Sequence, residues 1–299
     1  MTDLAINIPN FGHDTTSGTL LAWARFAESN GFHAVTISDH VAPTPDVTRA
    51  YPGSFYDPLT LIAWLAGQTR TLRLATSVLI VPYRHPLLVA RISAMLHEAG
   101  GGRFVLGVGA GWSRAEFAAL GIDVAQRGRL TDEYLDVIVA AWRQPRLTGL
   151  RAGSFEIDDV STEPLPAGGS VPMWVGGSSP AALRRAARYG AAWHPLNAAR
   201  GWLLERGLPQ LQGESERLGV PVPGFVPRIS LRLSPHPVPD ADRPYGTGDV
   251  AQIAADIGTL GDAGAELVVL DPNLPAGHPA PRDTRREMDE LLSVQAAIS

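Results

Sequence analysis

Apolar residues fall along this chain in two alternating textures. Short runs dense in Val, Ile, Leu and Ala give way to longer stretches in which apolar residues recur every three or four positions. The dense runs predict strands at residues 4–8, 34–38, 72–80, 104–108, 173–175, 191–194, 228–233 and 266–270. The spaced stretches predict helices at 18–30, 57–68, 86–99, 127–142, 180–188, 201–218, 249–263 and 284–297. Helix ends carry their own signals. Asp57 and Pro58 suit an N-cap and a first helical position, Ser179 and Pro180 repeat the pair, and Gly31 suits a left-handed stop.

Most of these strands are apolar on both faces, as parallel sheets require. Eight strand–helix pairs imply an α/β chain folded as a single (β/α)8 TIM barrel with loop insertions; a doubly wound open sheet is the runner-up. One barrel is an ordinary size for 299 residues, so residues 1–299 are expected to form one domain. Residues 145–171, rich in Pro, Gly and Ser, predict a surface excursion with a hairpin around "RAGSFEIDDV". In such a barrel, chemistry gathers where strands end. The predicted strand ends are Pro9-Asn10, Asp39-His40, Val81-Pro82-Tyr83, Gly109-Ala110-Gly111-Trp112, Gly176-Gly177-Ser178, His194-Pro195, Ser234 and Asp271.

Composition narrows the chemistry. The chain has no Cys, which removes thiolate nucleophiles, iron–sulfur clusters and Cys-zinc sites. It has no Lys either, since every basic side chain is Arg, which removes Schiff bases and a Walker-type phosphate loop. Net charge is −5 and no basic run exists, so nucleic acid is not an expected partner. No apolar stretch is long enough to span a bilayer, and the first residues lack the pattern of a signal peptide. A membrane is not expected as a partner, and the expected location is cytoplasmic.

Four stretches carry candidate chemistry. "VTISDHVAP" ends a strand at Asp39 and His40 and opens a loop, 41–56, placed to cover the barrel mouth. "TSVLIVPYRHP" leads into Tyr83, Arg84 and His85. "LGVGAGW" has Gly107, Gly109 and Gly111 but Trp112 where a dinucleotide fingerprint needs glycine, and Arg127 and Arg129 where it needs an acid. The glycines therefore read as a tight turn or as backbone kept bare for a flat ring. "VGGSSP" reads as an ordinary capped loop or as an anion cradle of free helix amides with Ser178. A metal held by His40 with His85, His194 or Asp271 is conceivable, but no pair has ligand spacing, so no metal is expected.

Taken in order, "GFHAVTISDHV", "LATSVLIVPYRHPLLVA", "GGRFVLGVGAGWSRAEFAALG", "RGRLTDEYLDVIVAAW" and "PMWVGGSSPAALRRAARYG" resemble the bacterial luciferase-like superfamily, and within it the coenzyme F420-dependent oxidoreductases. The likeness covers the first two-thirds of the chain and is faint after Trp202. It implies a homodimeric barrel with a deazaflavin, F420, at its mouth. Asp39 would contact the ring system and His40 would sit beside its reactive carbon. Ser77 and Val78 would lie behind the ring on a bulge with a cis peptide. Gly107, Gly109 and Gly111 would flank ring and side chain, and Gly176, Gly177 and Ser178 would hold the phosphate. Trp112 and Tyr83 would shape the substrate pocket. Sugar-phosphate dehydrogenases of this branch carry Glu at the place of Trp112, so the pocket here is more apolar.

The resemblance thus implies hydride transfer between F420 and a small, fairly apolar organic substrate, with His40 as general acid or base. Its rivals are an FMN-dependent two-component monooxygenase, which would need a separate flavin reductase, a metal-dependent barrel hydrolase, and a flavin- or ligand-binding barrel without turnover.

Overall fold

The dense apolar runs become neighbours in one parallel sheet. The computed structural model describes residues 2–240, 243–273 and 282–298. Chain order is sheet order from the first strand, Asp3–Asn7, through Ala34–Ile37, Arg73–Thr76, Phe104–Gly109 and Met173–Gly176 to the sixth, Ala192–His194. The eighth, Leu267–Asp271, pairs back onto the first. The seventh closes the ring in two pieces. Gly224–Phe225 pairs with the sixth strand and Arg228–Ser230 with the eighth. Bridges from Leu196 to Arg228 and from Phe225 to Ala265 tie each piece to its other neighbour. The sheet is therefore a closed (β/α)8 barrel.

Strand alternation fills it. Ala5, Ala34, Ala75, Val105, Trp174, Ala192, Val226, Leu267 and Val269 form one buried cluster inside the ring. Four alanines there leave the space that Trp174 occupies. The alternate positions, such as Ile6, Val35, Leu74 and Leu106, pack outward against the helices. Burial on both faces is why the strands read as unbroken apolar runs.

Several helix boundaries follow the sequence signals. Asp57 caps Pro58–Ala66 through the Thr60 amide, and Ser179 caps Pro180–Tyr189 through the Ala182 amide. Gly31 takes a φ of +74° just beyond the helix Ser17–Ser29.

Three expectations need correction. The run 72–80 is not one strand; Arg73–Thr76 stops, the Ser77–Val78 peptide is cis, and Leu79–Ile80 resumes. The run 228–233 divides at Leu231, and Arg232–Leu233 pairs with Thr247–Gly248 outside the barrel. The stretch 201–218 contains a π-helical turn, Leu203–Gly207, just before Pro209, which has no amide to continue the α ladder.

The excursion 145–171 is a hairpin of Leu150–Ala152 and Phe155–Ile157, with Arg146–Leu147 paired to Val160–Ser161 beneath it. It packs on the outside of the barrel. Phe155 meets Tyr134 edge-on at 5.2 Å, and Arg91 donates to the Ser161 carbonyl. Two short helices, Pro45–Ala50 and Arg114–Ala119, had no periodic signal. Among the described residues no helix is long and apolar enough to cross a membrane.

Candidate functional site

A cavity of about 350 Å3 opens at the carboxyl ends of the strands. Asp39, His40, Ser77, Val78, Gly109, Gly111, Trp112, Gly176, Gly177 and Ser178 all line it. Gly107 and Tyr83 do not.

His40 is held by an acid that no sequence signal singled out. Its Nδ1 lies 2.6 Å from Glu116 Oε2, and both side chains are buried. Glu116 Oε1 accepts from the Val41 and Ala42 amides, and Oε2 also accepts from the Tyr83 hydroxyl. Burial pushes the Glu116 carboxyl up, but the His40 bond and the two amides outweigh it and leave its pKa below the usual value. An ionised carboxylate only accepts, so Nδ1 carries a hydrogen. Nε2 then remains for the cavity, without a partner among the described residues. Tyr51, Phe55 and Trp112 surround the imidazole, with ring centroids at 5.4, 5.3 and 5.7 Å.

Glu116 sits in Arg114–Ala119, a helix capped by Ser113. Thr44 and Ser113 both donate to Asp46, which fastens the 41–56 loop to that helix. Tyr51 from the loop lines the cavity. The loop thus covers the mouth, as its position suggested.

Asp39 is held firmly. Its carboxylate accepts two bonds from Arg84, at 2.7 and 2.9 Å, and one from the Ile80 amide. Arg84 also reaches Asp57. Burial would weaken the Arg84 cation, but the Asp39 and Asp57 carboxylates outweigh it and raise its pKa. Three of the about four acceptor positions of the Asp39 carboxylate are therefore in use. His85, a candidate ligand contact in the sequence, instead packs edge-on against Phe155 of the excursion.

The cavity floor is a directional chain. Arg228, from the seventh strand, is paired with Asp271 and donates to the Ser77 carbonyl and hydroxyl. Ser77 Oγ lies 2.8 Å from His194 Nε2, and His194 Nδ1 lies 2.6 Å from the Val226 carbonyl. A carbonyl only accepts, so Nδ1 is the protonated nitrogen and Nε2 accepts from Ser77. Burial pushes the His194 pKa down to about 4, against the Val226 carbonyl and helped by the Arg228 cation. His194 is neutral near pH 7. With His194 and Asp271 so engaged and His85 on Phe155, the candidate metal ligands have other partners, and no described cluster could hold a metal.

Close packing also requires several of the glycines. A Cβ on Gly107 would lie 1.8 Å from the Thr76 carbonyl oxygen, so Gly107 lets the neighbouring strand pass and faces no ligand. A Cβ on Gly109 would sit 2.5 Å from Val78 Cγ2, and one on Gly176 2.9 Å from Val78 Cγ1. Their bare backbone seats Val78, and Val78 in turn forms the cavity wall. Tyr83 also departs from its expected place in the substrate pocket. It is buried behind Glu116 and edge-on to Phe117, turned from the cavity because its hydroxyl finds the carboxylate.

Opposite His40 across the ring, Gly177 and Ser178 are exposed just before the capped helix Pro180–Tyr189. The Trp193 indole donates to the Gly177 carbonyl and holds the loop. Arg127, at the start of Arg127–Arg143, and Arg185, held by Asp132, also line the cavity here. This end combines free amides, a hydroxyl and two guanidinium groups, a set suited to a phosphate. The excursion 145–171 contributes no lining residue.

Comparison with known proteins identifies the family of the fold. Residues 4–243 match the family described as luciferase-like monooxygenase. The chain is 34% identical over 174 residues to a 4-hydroxyprotoasukamycin monooxygenase of Streptomyces nodosus subsp. asukaensis, covering 58% of this chain and 45% of that protein. It is 29% identical over 276 residues to an F420-dependent glucose-6-phosphate dehydrogenase of Nakamurella multipartita, covering 91% of this chain and 75% of that protein. The structure of an F420-dependent secondary alcohol dehydrogenase superposes with a TM-score of 0.81 at 18% identity, covering 100% of this chain and 99% of that one. A match across residues 4–243, on a closed (β/α)8 barrel, means that the chain belongs to the luciferase-like monooxygenase family.

Proposed function

We propose that this chain is an oxidoreductase that binds coenzyme F420 at the barrel mouth and moves hydride between it and an organic substrate. The observation that carries the reading is His40, whose Nε2 is left for the cavity by the bond from Nδ1 to Glu116. The cavity fits such a cofactor on its own chemistry. Val78, Val108 and Val175 give a flat apolar wall, and the Gly177–Ser178 loop with Arg127 and Arg185 gives an anion site. A deazaflavin, with carbon at flavin's central nitrogen, supplies hydride when bound.

The chain's own residues have the remaining tasks. His40 Nε2 gives or takes the proton that balances the hydride. Glu116 fixes the tautomer and the orientation of the imidazole. Arg84 holds Asp39, and so the start of the covering loop, in place. Tyr51 shields the reacting end from water.

A second reading, an FMN-dependent monooxygenase served by a separate flavin reductase, is supported by the likeness to the Streptomyces monooxygenase. Titration of the protein with F420 and FMN, each oxidised and reduced, separates the two. Selective F420 binding supports hydride transfer. Selective binding of reduced FMN supports oxygen chemistry. Binding of neither overturns both.

We also infer a homodimer through the outer faces of Pro58–Ala66 and Pro86–Ala99, where Trp64, Leu88 and Met95 are exposed. Light scattering of wild type against Leu88→Glu/Met95→Glu tests it, with a monomeric wild type as the contrary result.

A further inference from the structure

Three large apolar side chains face solvent on the loops at the carboxyl end. Trp112 is 51% exposed, Leu196 45% and Val41 42%. Trp112 and Leu196 line the cavity, and Val41 directly follows His40. Large apolar groups exposed around one opening mark a binding surface.

The buried ionic groups around His40 are already paired. Arg84 is held by Asp39 and Asp57, Arg228 by Asp271 and Ser77, and Glu116 by His40, Tyr83 and two amides. Arg127 and Arg185 flank the fifth strand, with the third and fourth strands between it and His40. Room is limited as well. Ligand pockets span about 300–1,000 Å3, and this one, at about 350 Å3, is near the lower bound. A tricyclic ring would take most of it.

We propose that the substrate is a bulky, flat, uncharged hydrophobic molecule, an aryl-bearing carbonyl compound. Its reacting end meets His40, and its body lies outside the cavity across Trp112, Leu196 and Val41. The inference rests on the proposed cofactor reading, because the ring's volume is what moves the substrate onto the rim.

The test is calorimetric binding to protein loaded with oxidised F420. The probes are chalcone, mesityl oxide, which has the same enone without aryl rings, and glucose-6-phosphate. Chalcone should bind at least about tenfold more tightly than mesityl oxide, and glucose-6-phosphate should not bind. Trp112→Ala and Leu196→Ser, both on exposed side chains, should each weaken chalcone by about tenfold, the scale of losing one large apolar contact. Leu196→Ser, on the far side of the opening from His40, should leave mesityl oxide unchanged. Equal affinities for the two enones, chalcone binding insensitive to both substitutions, or preferential glucose-6-phosphate binding overturns the proposal. F420 and FMN affinities on the same proteins keep the two failures apart. Cofactor binding with no rim effect overturns the rim alone, and no cofactor binding overturns the proposed function beneath it.

Discussion

At the scale of single residues, the site depends on which nitrogen of each histidine carries hydrogen. Glu116 presents only acceptors to His40, so Nδ1 must donate and Nε2 faces the cavity. His40→Ala should slow the chemical step by about 10²–10⁴-fold while the cofactor still binds, measured in a single turnover. Glu116→Gln should lower turnover and change its pH profile without moving cofactor affinity. A loss of cofactor affinity instead would make Glu116 a structural residue only.

His194 gives a separate prediction about stability. Its folded pKa, about 4, lies below the 6.5 of an unperturbed imidazole, so the unfolded chain binds more protons between those values. Its contribution is complete above pH 6.5 and is lost as pH falls towards 4, by about 3 kcal/mol. Denaturant unfolding at a series of pH values should show this slope in wild type. His194→Asn should start less stable and be flatter over the same window.

At the scale of elements, close approach decides which glycines matter. Gly258, inside the helix Val250–Asp262, has nothing within 4 Å of where an added methyl would sit, and Gly258→Ala should stabilise by about 0.5–1 kcal/mol. Gly107→Ala places its methyl 1.8 Å from the Thr76 oxygen and should give little folded protein. Thermal melts of the two variants make the comparison. Arg84 joins elements as well, from Asp39 at the end of the second strand to Asp57 at the start of the helix Pro58–Ala66. Arg84→Ala leaves a buried carboxylate without its cation and should cost about 3–5 kcal/mol, read from denaturant unfolding.

At the scale of the whole molecule, the barrel separates function from elaboration. The cavity is built from strand ends, the loops directly after them and the first turns of the helices Arg127–Arg143 and Pro180–Tyr189. The hairpin of Leu150–Ala152 and Phe155–Ile157 packs outside the barrel, where Phe155 meets Tyr134 of the helix Arg127–Arg143 and His85 just before the helix Pro86–Ala99. Exposed substitutions on it, such as Arg151→Ala with Glu156→Ala, should leave F420 and FMN affinities within about twofold, since their surface ion pair contributes at most about 1 kcal/mol. A larger change by titration would mean that the hairpin reaches the site.

The sequence by itself determined the barrel, many of its helix boundaries and most of the cavity wall. Burial on both strand faces leaves unbroken apolar runs, and caps such as Asp57 and Ser179 are local. Asp39, His40 and Ser178 were legible because a strand ends beside each of them. Tertiary structure alone decided the partners. Glu116 is 76 residues from His40, and Ser77 is 151 from Arg228, so no local pattern announces either pair. The same holds for the glycines. Their spacing shows that something approaches closely, and only the fold shows that it is Thr76 and Val78. Tyr83 points away from the cavity for a related reason, since its hydroxyl is fixed by a carboxylate that arrives from a different strand–helix unit.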